Sequence, residues 1–198
     1  MSFGELAVLC CFCAVLELDN VQAGQFMVSR PSVVGALLGL IAGRLLEGLQ
    51  IGLWTELLFL DRTPMGESVP TNGLVAAGAG VLVLEYSGLE IPVAFAMGIA
   101  LGMTYSKVEI WLRNRRSARS RKIAREIIKS LTIECCCCWL FLFFGVILAG
   151  IVGKLLWNMS CEQVRLAADL AYGAVPWLGL AALIFKFQPI KQGLGARS

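Results

Sequence analysis

Residues 18–72 read LDNVQAGQFMVSRPSVVGALLGLIAGRLLEGLQIGLWTELLFLDRTPMGESVPTN. In this stretch a hydrophobic chain repeatedly places charge, glycine and proline at apparent membrane depth. Its apolar runs are too short and too often broken to be ordinary spans. A charged group inside a bilayer costs at least about 2.5 kcal/mol, so it normally faces a partner, a cavity or a substrate. Broken hydrophobic segments that free backbone groups are also how transporters build a polar site inside lipid. The stretch therefore predicts a transport-type site in a membrane protein.

Composition points the same way. Mean hydropathy is +0.75, 58% of residues are hydrophobic and only 16% are charged, against about 25% in soluble domains. The expected fold is an all-α integral membrane protein, a multi-pass bundle with short or re-entrant segments. A chain of 198 residues has room for one such domain over its whole length, 1–198. The clearest span is 135–153, wholly apolar and about 28 Å long as a helix. Residues 170–185 form a second, in which Pro176 predicts a kink tolerated by neighbouring helices. Residues 73–84 and 91–105 are short and are joined by a polar turn over 85–90. They read either as a tight helical hairpin or as two tilted spans. Residues 6–16 lack a preceding Lys or Arg and follow Glu5, so they read as a first membrane segment rather than a cleavable signal.

Between the spans, residues 107–129 carry nine basic side chains against Glu109 and Glu126. The positive-inside rule predicts a basic cytoplasmic loop there. Such loops set topology and touch anionic lipid of the bilayer, and docking of a soluble partner is the alternative. Nucleic acid is not expected as a partner, because the charge is local and the net charge is only +3. Gly35, Gly39 and Gly43 recur every four residues, and Gly48 with Gly52 and Gly98 with Gly102 repeat the spacing. That pattern predicts close helix packing within the subunit, and it also suits packing against a partner membrane subunit.

Residues 51–60 are too short to cross a bilayer as a helix yet contain Glu56. A re-entrant segment lined by protein accounts for this, since irregular backbone is not tolerated in lipid. Sugar hydroxyls donate to carboxylates and accept from amides and guanidinium groups. Glu56, Gln25 and Asn72 have that chemistry and are the candidate substrate-binding residues. For Glu56 the alternative is a structural bond to loop amides. Asp19 and Arg30 can pair with each other in a structural role, as can Arg44 and Glu47 at i,i+3. Eight cysteines are present: Cys10, Cys11, Cys13, the run at 135–138, and Cys161. Consecutive cysteines on a helix point in different directions, and there is no histidine to complete a zinc site. They read as small apolar filler, with acylation of a juxtamembrane cysteine as the alternative. The sequence calls for no metal, no cofactor and no catalytic residue.

Several motifs also occur in a known order: Gln25, Ser29-Arg30-Pro31, the glycine series, the TELLFL segment, and Pro64-Met65-Gly66-Glu67-Ser68-Val69-Pro70. In order and spacing they resemble the IIC membrane subunit of mannose/fructose/sorbose-type phosphotransferase systems. The likeness is strongest over residues 14–110. It implies a permease that binds and moves a sugar in the bacterial inner (plasma) membrane. It also implies a IID membrane subunit and cytoplasmic IIA and IIB subunits as partners. Such a chain is not catalytic alone, and lacking histidine it cannot carry the phosphoryl group. By resemblance, Glu56 falls on the family's membrane glutamate and Asn72 on the aspartate after its prolines, while Glu67 lies in the proline-flanked motif as a structural or gating candidate. Arg44 stands where members usually have aspartate, Thr71-Asn72 replaces Pro-Asp, and the likeness implies further hydrophobic segments after Phe187. These departures keep open a non-transporting scaffold or regulatory relative.

Overall fold

The computed structural model describes residues 1–21, 28–59, 71–117, 124–160 and 162–195. Among the described residues seven helices follow one another: α1 (Phe3–Val21), α2 (Pro31–Ile41), α3 (Leu45–Phe59), α4 (Gly73–Ser87), α5 (Ile91–Ser117), α6 (Ala124–Met159) and α7 (Glu162–Gly195). The protein is an all-α, multi-pass membrane protein. Among the described residues three helices are long and apolar enough to cross a bilayer, over Ile91–Arg115, Ile128–Met159 and Glu162–Ile184. Helices α6 and α7 contain the segments expected at 135–153 and 170–185, and α7 runs through Pro176 without a break in the helix.

The centre is built from two glycine-packed antiparallel hairpins. Pro31 at the first turn of α2 starts that helix with a ready-made φ. Gly43 at φ 74° turns the chain into α3, a conformation in which a side chain would be strained. In the hairpin, a Cβ on Gly39 would lie 2.9 Å from the Gly48 Cα, and one on Gly52 would lie 2.9 Å from the Ser32 Cα. The backbones therefore touch along the whole seam. Gly88, at φ 64°, makes the second turn and donates its N–H to the Leu84 carbonyl at 2.9 Å. There a Cβ on Gly98 would meet the Gly80 Cα at 2.7 Å. The expected packing role of the glycines is thus met inside the chain.

At 11 and 15 residues, α2 and α3 are only about 16 and 22 Å long, short of a bilayer's hydrocarbon thickness of about 30 Å. Residues 51–59 of the segment expected at 51–60 are the second half of α3, which begins at Leu45 and leans on α2 rather than entering alone; residue 60 lies outside the described residues. Of the two readings of 73–105, the hairpin is observed. In α4 every residue from Leu74 to Leu84 is buried, which makes it the central helix. Around it, α1 packs on α6, where the Trp139 Nε1–H donates to the Ala7 carbonyl at 2.9 Å. The outer faces of α6 and α7 present Phe144, Leu148, Leu156, Leu170 and Trp177.

The described parts of the basic segment 107–129 continue the helices on either side of it. It is helical to Ser117 and again from Ala124, with 118–123 outside the described residues. Arg, Lys and Glu are good helix formers, so the spans on either side continue into the charged stretch. The cysteines fan out as expected of neighbours on a helix: Cys138 is buried and Cys136 exposed, while Cys10 and Cys13 of α1 are buried and Cys11 exposed.

Candidate functional site

Asn72 lies where α4 begins and is 4% exposed. Its Oδ1 accepts from the Val75 N–H at 3.0 Å and caps α4. Because that N–H can only donate, the cap fixes the amide orientation and turns Nδ2 toward two other helices. Nδ2 donates to Glu17 Oε1 of α1 at 2.6 Å and to Glu109 Oε2 of α5 at 3.2 Å. One amide therefore ties three helices together with both of its hydrogens. Arg113, one turn beyond Glu109, donates to Glu109 Oε1 through Nη2 at 2.5 Å and Nε at 3.1 Å. Glu134 of α6 is 7% exposed and accepts from the Ser130 hydroxyl at 3.3 Å.

These groups frame a cleft lined by Ala14, Glu17, Leu18, Tyr105, Glu109, Leu112 and Glu134, with room for about one water molecule. Burying an ionised carboxylate is strongly unfavourable unless donors surround it. The Asn72 amide and the Arg113 guanidinium supply such donors to Glu17 and Glu109. The arrangement calls for a hydrogen-bond donor at position 72. A carboxylate at 72 has no hydrogen to give to two neighbouring carboxylates.

Glu56 belongs to a second, more open group. It is 28% exposed, accepts from the Ser32 backbone N–H at 3.3 Å, and lies 3.4 Å from Arg30 Nη1. Arg30 is the N-cap of α2 and offers no side-chain acceptor to that helix. The Glu56 carboxylate from α3 takes over the task, favoured by the positive end of the helix. Arg30 is thus paired with Glu56. The side chain of Asp19, considered as its partner, lies outside the described residues, as do Gln25 and Glu67. Arg44 and Glu47 form their i,i+3 ion pair at the other end of the hairpin.

The two groups are neighbours in the fold. A Cβ on Gly73, next to Asn72, would lie 2.8 Å from Pro31 Cγ and 3.6 Å from Phe59. The start of α2, the end of α3 and the start of α4 therefore converge. The sequence brought out Glu56 and Asn72 but not Glu17, Glu109 and Glu134, the carboxylates around the cleft. The available signal was the i,i+4 spacing of Glu109 and Arg113 at the end of an apolar run.

Comparison with known proteins identifies the chain. The family profile described as the sorbose-specific IIC component of the phosphotransferase system matches residues 4–185. A relative from Escherichia coli (strain K12), the putative N-acetylgalactosamine permease IIC component 2, is 28% identical over 100 residues, covering 48% of this chain and 73% of its own. A solved structure titled only as that of a membrane protein superposes with a TM-score of 0.71 at 19% identity, over 94% of this chain and 79% of that one. At that identity the likeness speaks for the fold alone. With the profile spanning most of its length, this chain belongs to the sorbose-specific IIC family, the membrane permease components of the sugar-transporting phosphotransferase system.

Proposed function

We propose that this chain is the sugar-translocating subunit of its system, working by alternating access. It binds a hexose or amino sugar at membrane depth and presents it to a partner IIB subunit for phosphorylation. The reading includes a IID membrane partner, cytoplasmic IIA and IIB subunits, and residence in the bacterial inner membrane with residues 107–129 on the cytoplasmic side. The single observation that carries it is the convergence of polar side chains on the ends of short helices. Asn72, Glu17 and Glu109 meet in the protein interior, and Glu56 meets the start of α2. Short helices whose ends face polar groups are the usual ground plan of a transporter site. An amino sugar is favoured by the name of the E. coli relative.

Within this reading Glu56 is the carboxylate that contacts sugar hydroxyls, because it is the more accessible of the two described candidates. Gln25 is proposed alongside it. Asn72 acts by holding α1, α4 and α5 together until the sugar competes for its amide. Glu56→Gln keeps the shape and removes the charge, so sugar uptake should fall at least tenfold while insertion and assembly stay normal. Normal uptake by a well-assembled variant would remove Glu56 from the site.

A second reading, a non-transporting scaffold, draws support from the cleft, which has no room for a sugar in this conformation. It makes the Asn72 group a permanent knot. A complex that assembles but binds no sugar is its signature.

A further inference from the structure

A group of aromatic rings joins α3, α5 and α7. The ring centroids of Trp54 on α3 and Tyr172 on α7 are 6.1 Å apart, and Phe95 of α5 stands edge-on to Tyr172 at 5.2 Å. The polar atoms of the group are Trp54 Nε1 and the Tyr172 hydroxyl. Both are shielded from solvent, and neither has a hydrogen-bond partner among the described residues. A buried donor left unsatisfied is unfavourable by about 1–3 kcal/mol, and native proteins leave few. Two in one contacting pair of rings call for a specific explanation.

Packing alone does not supply one. Phenylalanine at 172 would fill nearly the same space without stranding a donor, and an apolar side chain at 54 would pack in the helix without one. The arrangement suits a neutral, polyhydroxylated ring. The Trp54 N–H can donate to a hydroxyl oxygen, and the Tyr172 hydroxyl can donate or accept. Aromatic rings also offer large, rigid contact area with a polar handle at one end. We propose that Trp54 and Tyr172 form a sugar-binding subsite between α3, α5 and α7, entered when α7 parts from α3. Of the three long apolar helices, α7 is the least covered by the rest of the chain. It also rests closely on α3, where a Cβ on Gly179 would lie 2.7 Å from the Leu57 Cβ. The inference rests on the transport reading and adds the residues by which the sugar is held.

The test uses Trp54→Phe and Tyr172→Phe in the full chain, purified in lipid nanodiscs with its membrane partner. Each variant deletes one donor and keeps an aromatic ring. Binding of hexoses and amino sugars is measured by titration, and thermal stability without sugar is measured in parallel. The expected result is about a tenfold rise in Kd for the recognised sugar in each variant, the loss of one hydrogen bond. Stability without sugar should be unchanged or higher in Tyr172→Phe, since an orphaned donor has been removed, while Trp54→Phe also loses the packing of the larger ring. Wild-type affinity in both variants would overturn the subsite while leaving the transport reading intact. If the unmodified complex binds no sugar in the panel, the transport reading fails and the subsite with it.

Discussion

Asn72→Asp is expected to destabilise the protein by about 1–3 kcal/mol at neutral pH, through the loss of two hydrogen bonds. The substitution changes one atom of the side chain. It removes both N–H groups that now reach Glu17 and Glu109 and sets a third carboxylate against them. Capping of α4 is not the cause, because Asp caps as well as Asn does. The sign of the pH dependence follows from the like charges. Beside two carboxylates, the new Asp has its pKa raised above the unfolded value. The folded variant then holds protons that the unfolded chain has lost, so its stability falls as pH rises. Lowering the pH toward the ordinary carboxylate range restores stability as a protonated carboxyl regains a hydrogen to donate. Thermal unfolding in nanodiscs across pH checks this. A variant as stable as the wild type at pH 7, or one that loses stability on acidification, contradicts the bridging role.

Gly48→Ala should produce the second large effect. Its new Cβ would meet the Gly35 carbonyl oxygen and would lie 2.7 Å from the Gly39 Cα. Both obstacles are backbone, so no side chain can turn aside, and α2 and α3 must separate. Overpacking of this kind costs about 1–3 kcal/mol, against a gain in helix propensity of about 1 kcal/mol. Gly173→Ala in α7 meets nothing within 4 Å and should show only the gain. The pair of variants, compared by thermal unfolding and by yield of assembled protein, separates packing from propensity. Equal behaviour of the two would contradict the tight hairpin seam.

Much of this architecture was legible because it rests on local chemistry. The four-residue glycine spacing marked the seams of both hairpins, although it did not say that α2 and α3 pack on each other. Asn72 and Gly88 bound α4 in ways a sequence displays, one as a capping residue and one as a left-handed terminator. The carboxylates of the cleft were harder to see. Glu17 read as the polar end of a first apolar segment, and Glu109 as a stray counter-charge among nine basic residues. What makes them a group is the meeting of α1, α4 and α5 at one amide, across 55 and 37 positions of chain. No local pattern encodes a contact over that distance. Trp54 and Tyr172 were invisible for the same reason, since an aromatic residue in an apolar helix looks like core until its polar atom proves to have no partner.

Arg30, considered in sequence terms as a partner for Asp19, lies beside Glu56, because the α2–α3 hairpin folds the end of α3 back onto the start of α2. Glu56 caps a helix that has no cap of its own, and in the proposed function its remaining exposure lets it meet a sugar. A carboxylate held in place by a backbone amide and a guanidinium is well oriented to accept hydroxyl hydrogens.

The role proposed for this chain is to bind and move a sugar. Its most direct test is equilibrium binding by the chain, co-purified with its membrane partner, against a panel of hexoses and amino sugars. Saturable binding of at least one sugar is expected, weakened at least tenfold in Glu56→Gln. A folded and fully assembled complex that binds none of them would contradict it.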